Sequence, residues 1–144
     1  MKKRSLFIIA LALMFSFGLV AGQAFAKDKT AKDFVAEAKK TISEISVEDA
    51  KKAFDKGGYT FVDCRTAKEF KMGHIPGAVH IPRGMLEFKV SKMLPDKNAN
   101  IIMNCKSGGR SALGTCTLCE MGYKNVKSLA GGWKAWVKAG YPIE

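Results

Sequence analysis

Residues 101–121 read IIMNCKSGGRSALGTCTLCEM, and the fold turns on them. Ile101, Ile102 and Met103 form a short apolar run with the length and bounding of a buried strand, and a polar turn and a mostly apolar, helix-length segment follow directly. The order is strand, loop, helix, with one cysteine in the loop.

That loop is Cys105-Lys106-Ser107-Gly108-Gly109-Arg110. Two glycines permit backbone angles that other residues resist. Successive amides at a helix N-terminus bind anions through unpaired donors and the helix dipole. The composition therefore predicts backbone N–H groups aimed at one point, with a cysteine at their base. Thiolates are favoured at helix N-termini and beside Lys or Arg, and the thiolate is the nucleophilic form. Lys106 and Arg110 are expected to supply that positive charge. The plainer reading, Cys105 as a small buried hydrophobe beside two turn glycines, leaves the basic residues and the helix start without a role.

Two further blocks accompany the loop: residues 63–82, DCRTAKEFKMGHIPGAVHIP, and residues 129–136, LAGGWKAW. Together the three resemble the rhodanese (thiosulfate sulfurtransferase) family, and the resemblance runs from about Ile45 to the C-terminus. It implies a five-stranded rhodanese sheet, with Cys105 as the catalytic nucleophile and Lys106, Ser107, Gly108, Gly109 and Arg110 as the substrate-binding loop. It implies sulfane-sulfur transfer by double displacement: the Cys105 thiolate takes the outer sulfur of a donor such as thiosulfate, sulfite leaves, and an acceptor removes the sulfur from the Cys105 persulfide. The implied partners are a small anionic sulfur donor and a thiol or cyanide-like acceptor, a protein among the candidates. No cofactor and no metal are called for.

Two rivals stand beside this expectation. Cysteine phosphatases and arsenate reductases of the related type also set a cysteine and an arginine around an anion cradle. They place five residues between the two where this chain has four, Lys106 to Gly109, so the smaller ring suits sulfur better than a tetrahedral oxyanion. The second rival is a sulfur-carrier or binding module that holds the persulfide for a partner without turning over thiosulfate.

Asp63, Arg65 and Glu69 could form an acid–base set. Paired carboxylate and guanidinium groups also make strong hydrogen bonds that fix a loop, and loop support is the reading taken here. His74 and His80 lack a carboxylate or cysteine at zinc-ligand spacing. Cys64 reads as a packed thiol on a strand. Cys116 and Cys119 form a C-x-x-C inside a helix, roughly 10 Å and roughly 15 Å along from its start, too far to reach Cys105. They are read first as core thiols, with a local disulfide or a sulfur relay as alternatives. Trp133 and Trp136 are expected in the core and in a pocket wall.

At 144 residues the chain has room for one domain with an ordinary core. Its net charge of +11 favours anionic partners. No basic run interleaves with aromatics as a nucleic-acid platform would need, so nucleic acid is not expected. Met1-Lys2-Lys3-Arg4, the uncharged apolar run of residues 6–20 and Ala24-Phe25-Ala26 have the layout of a cleaved signal peptide, bacterial in style. The expectation is export to the periplasm or exterior after a cut behind Ala26, with no membrane association afterwards. The alternative is an uncleaved anchor, since residues 5–26 are uncharged. The chain then divides into a signal peptide (1–26), an N-terminal helical extension (27–44) and a rhodanese domain (45–144).

Residues 27–41, with Phe34, Val35, Ala38 and Ile42 at helical spacing, predict an amphipathic helix. Ile45 reads as a short strand, Ser46 as a helix cap, and residues 59–63 as a core strand. Thr66 and Glu69 form a capping box. Residues 78–81 predict a strand, 84–93 a helix and 126–129 a strand, with Gly131-Gly132 opening a last helix. Strands alternating with helices predict an α/β fold with a parallel sheet and helices on both faces. Ligands in such folds sit beyond the carboxyl ends of the strands, where Cys105 falls.

Overall fold

Side chains alternate between the two faces of a strand, and the central strand displays it plainly. In β4 (Asn100–Asn104), Ile101 and Met103 join one apolar cluster and Ile102 joins the other, all three inaccessible to solvent. A strand buried on both faces reads as a continuous apolar run. The structure, a computed structural model, describes residues 28–144; the expected signal peptide lies outside the described residues.

Four parallel neighbours complete the sheet. These are β1 (Ser43–Ile45), β2 (Thr60–Asp63), β3 (Val79–His80) and β5 (Asn125–Leu129), in the order β1-β5-β4-β2-β3. Every strand therefore ends on the same edge, with β4 in the middle. The α/β, five-stranded parallel architecture expected from the resemblance is the one observed.

The faces are covered as the strand alternation demands. On one, α2 (Val47–Lys56) brings Ala50 and Ala53, and α6 (Gly132–Lys138) brings Trp136, against Phe61, Ile102 and Leu129. On the other, α4 (Leu86–Met93) and α5 (Gly109–Glu120) bury Leu86, Val90 and Leu118 against Val62, Ile101, Met103 and Val126. The short α3 (Ala67–Lys71) carries the expected capping box, Thr66 with Glu69. The C-terminus returns to the body through reciprocal backbone bonds between His74 and Glu144, at 2.8 and 2.9 Å.

Three expectations need correction. The first helix, α1 (Ala31–Thr41), begins later than residue 27 because Thr30 caps it, with Asp33 completing a capping box. It lies on α5 and not on the sheet, so it buries only Ala38, leaves Phe34 50% exposed, and releases Ile42 into extended backbone. The helix expected over 84–93 opens instead with a 3-10 turn, Arg83–Met85, because Pro82 bars an earlier start, and becomes α-helical at Leu86. Cys64 lies one residue past the end of β2, although its N–H continues the ladder to the Asn104 carbonyl at 2.8 Å. Among the described residues no helix is long and apolar enough to cross a membrane.

Candidate active site

Cys105 follows β4 directly and its side chain is 1% exposed. The Gly108 N–H donates to its sulfur at 3.2 Å. Ser107 and Ser111 lie close enough to help stabilise its charge. Gly108 is left-handed (φ 96°) and caps α5 without a side-chain bond, so the loop folds back and the first amides of α5 meet the sulfur.

The donors face inward because the loop carbonyls face outward. The Trp133 N–H takes the Cys105 carbonyl at 2.7 Å, and the Lys134 N–H takes that of Lys106 at 3.1 Å. These are the opening amides of α6, which would otherwise be unpaired. Gly132 makes the approach possible: its φ is +58°, and a Cβ there would lie 2.4 Å from the Cys105 carbonyl oxygen.

The thiol is held well below its ordinary range, lowered to about 4. The largest cause is a hydrogen bond from the Cys64 thiol; burial opposes, and Ser111 and the amide of Ser107 add to the lowering. Cys64 moves the opposite way, raised by the same hydrogen bond and by burial. Ser111 is held in place because Ser128 donates into its hydroxyl at 3.0 Å, and the Ser111 hydroxyl in turn donates to the Gly108 carbonyl at 3.2 Å. At neutral pH Cys105 is a thiolate.

Arg110 is engaged by Glu69 in a two-pronged pair, at 2.9 and 2.8 Å, while its charge still acts on Cys105 and Cys64. That pair holds Glu69 down to about 2 and raises Arg110. A guanidinium matched by a carboxylate leaves little net field, so close neutral donors dominate. Lys106 is exposed at the rim, and among the described residues no carboxylate pairs with it.

Asp63 and Arg65 form a buried brace. The Arg65 backbone N–H and guanidinium donate to Asp63 at 2.7 to 3.0 Å, Asn104 Nδ2 donates to Asp63 at 3.2 Å, and Arg65 reaches the Gly73 carbonyl at 2.7 Å. Its guanidinium lies 4.5 Å from the Trp133 ring centroid. A cavity of about 310 Å³ outside Cys105 is lined by Arg65, Glu69, Met72, Lys106 and Trp133. Thus Asp63, Arg65, Glu69 and all six loop residues gather at one sheet edge.

Residues 46–139 match the family described as Rhodanese-like domain. The chain belongs to the rhodanese-like family. Rhodanese-like domain-containing protein 17 of Arabidopsis thaliana is 36% identical over 115 residues, 72% of this chain and 73% of its own. Thiosulfate sulfurtransferase 18 of the same plant is 34% identical over 115 residues, 71% of this chain and 83% of its own. A solved structure from Rhodopseudomonas palustris, titled a protein of unknown function and possible tyrosine phosphatase, is 31% identical with a TM-score of 0.77, covering 85% of this chain and 100% of its own.

The remaining residues fall outside the rhodanese loop. His74 and His80 sandwich Phe70, with ring centroids 3.7 and 4.5 Å away, and their ring nitrogens meet the carbonyls of Phe70 and Arg65. Trp136 is core and Trp133 is pocket wall, as expected. Cys116 and Cys119 are free thiols and not core: Cys119 is exposed and Cys116 half-buried, because α5 gives its buried stripe to Ala112, Thr115 and Leu118. Sequence reading missed Cys64, Ser111, Ser128 and Met72 at the site. The β2–β4 pairing alone could have revealed Cys64, by placing Asp63-Cys64 beside Asn104-Cys105.

Two measurements follow. Alkylation of Cys105 should proceed at an unchanged rate between pH 8 and 6 and fall only as pH drops through about 4, because lowering a thiol's pKa keeps it ionised down to that value; a rate that declines from pH 8 downward contradicts the bonding described. Gly132→Ala should destabilise the chain by about 1–3 kcal/mol in urea denaturation, through the left-handed backbone alone, and should move the alkylation midpoint toward the ordinary thiol value as Cys105 loses its donors.

Proposed function

We propose that the protein is a sulfurtransferase that moves sulfane sulfur from thiosulfate or a similar donor to a thiophilic acceptor through a Cys105 persulfide. The observation that carries the reading is the Cys105 sulfur itself, buried, ionised and 3.2 Å from the Gly108 amide in a loop closed by α6. The thiolate attacks the outer sulfur of thiosulfate; the S–S bond of the donor breaks and sulfite leaves with its electron pair. The negative charge then rests on the outer sulfur of the persulfide, where the amides of Ser107, Gly108 and Ser111 remain within the same cradle. An acceptor thiolate or cyanide takes that sulfur and restores the Cys105 thiolate.

Lys106 is the cation of the rim and draws the donor in. Asp63, Arg65 and Glu69 hold the loop and take no proton. The phosphatase description of the Rhodopseudomonas palustris neighbour fits less well: an oxyanion cradle needs its guanidinium over the ring, and here Arg110 is engaged by Glu69, with four residues separating it from Cys105. We read residues 45–144 as the catalytic domain, 27–44 as an extension packed on it and 1–26 as a signal peptide cut on export to the periplasm or exterior.

Purified protein given thiosulfate and cyanide should form thiocyanate, and Cys105→Ala should reduce this to background. Activity persisting in Cys105→Ala, or hydrolysis of an aryl phosphate without thiocyanate formation, would overturn the mechanism. A stable gain of one sulfur without turnover would assign the carrier role instead. In the same preparations, the mass of protein recovered from its native cell should correspond to a chain beginning at Lys27; an intact N-terminus refutes the cut.

A further inference from the structure

Cys64 helps to keep Cys105 ionised but gives and receives no sulfur in the transfer described above, although it is the closest chemical relative of Cys105 in the site. It is 1% exposed and belongs to the same apolar cluster as Cys105. Asp63 pairs with Asn104 in the parallel ladder, and the Cys64 N–H donates to the Asn104 carbonyl at 2.8 Å, which sets Cys64 beside Cys105 as the next pair. Adjacent strands lie about 4.8 Å apart, inside the roughly 4.4–6.8 Å Cα separation that a disulfide requires. Side chains of paired residues in parallel strands leave the same face, as Val62 and Met103 do two residues earlier. The two thiols act strongly on each other, Cys105 raising Cys64 and Cys64 lowering Cys105. Asp63 and Arg110 are the charged groups that act on Cys64, and it is packed among the apolar residues under α4 and α5, away from solvent.

We propose that Cys64 is an internal acceptor for the Cys105 persulfide: when no outside thiophile arrives, its sulfur attacks the inner sulfur, hydrosulfide leaves, and a Cys64–Cys105 disulfide remains. This rests on the sulfurtransferase reading of Cys105. The step balances without an external oxidant. The bond between the Cys105 sulfur and the outer sulfur breaks and the Cys64–Cys105 bond forms. The outer sulfur is reduced to the sulfide level as the Cys64 sulfur is oxidised to the disulfide level, and the proton of the Cys64 thiol leaves on the hydrosulfide. Cys64 attacks from the β2 side, whereas the loop amides hold the outer sulfur from the α5 side. Because both residues continue one strand ladder by a single position, neighbouring-strand spacing puts their Cα atoms within the separation a disulfide requires. The site would release sulfide once, then wait for a dithiol reductant to reopen it by thiol–disulfide exchange.

The test uses thiosulfate labelled in its outer sulfur, with neither cyanide nor thiol present, on the wild type and on Cys64→Ser and Cys64→Ala. Wild type should release labelled hydrosulfide in an amount equal to the protein, lose two hydrogens by intact mass, and yield a Cys64–Cys105 cross-linked peptide. Both variants should instead hold the label as one added sulfur on Cys105, with hydrosulfide release lower by roughly tenfold or more. Wild type that retains its labelled sulfur as stably as the variants overturns this proposal and leaves the transferase reading standing. Failure of all three proteins to take up label overturns that reading, and this proposal with it. Should the variants alone fail to load, the wild-type peptide map decides between cross-link and persulfide.

Discussion

The bond from the Trp133 amide to the Cys105 carbonyl, 2.7 Å long, is the contact on which the active edge depends. A peptide unit is planar, so fixing a carbonyl fixes the direction of the amide that follows it. Turning the Cys105 and Lys106 carbonyls toward α6 fixes the loop's course, and with the Lys106 carbonyl held by Lys134 the Ser107 amide that follows it is turned toward the sulfur. The bond serves α6 as well. Its cap, Gly131, makes no side-chain bond, and neither does Gly108 at the start of α5. Orphan amides at a helix start must be satisfied by something. At α6 the loop carbonyls satisfy them; at α5 the Cys105 sulfur does. Two helix ends thus share one six-residue loop, and no cap residue stands between helix and thiol.

Such a loop has little packing of its own, and its neighbours hold it by matching the charges of Arg65 and Arg110. Arg65 is matched by Asp63 and anchored to Gly73, while Arg110 is matched by Glu69, whose carboxylate also accepts from the Thr66 amide that caps α3. A buried guanidinium with a carboxylate on both prongs keeps its orientation without leaving a net charge near the thiolate. The consequence is chemical: the unpaired cation of the site stands at the rim, at Lys106, and the ring itself holds negative charge chiefly through neutral amides.

Much of this was legible in advance because the sheet and its helices follow from local pattern. The apolar run at Ile101, the capping box of Thr66 and Glu69, and the paired glycines each decide their own neighbourhood, and they led to the right sheet and the right loop. What escaped depends on which strands lie side by side. Nothing near Cys64 in the chain marks it as a partner of Cys105, forty-one positions away in sequence; only the β2–β4 register does that. Ser111 and Ser128 look like ordinary helix and strand residues until β5 is set beside β4 and under α5. The charge of Arg110 is evident from sequence, whereas its engagement by Glu69 is a fact of packing.

The neutral character of the donors has a consequence for sulfur chemistry in particular. A thiolate and its persulfide carry the same single negative charge, displaced outward by one S–S bond of about 2.05 Å. Amides and a hydroxyl arranged around a loop tolerate that displacement, since each donor loses only part of its alignment as another gains. A cation locked against the thiolate would favour the thiolate over the persulfide, holding the charge where it began. Phosphoryl transfer to the same cysteine would instead bring at least one additional negative charge into a pocket whose guanidiniums are already matched. The donor set is therefore balanced for moving one charge a short way. By that measure the pairing of Arg110 with Glu69 is as much a part of the site's selectivity as the cysteine.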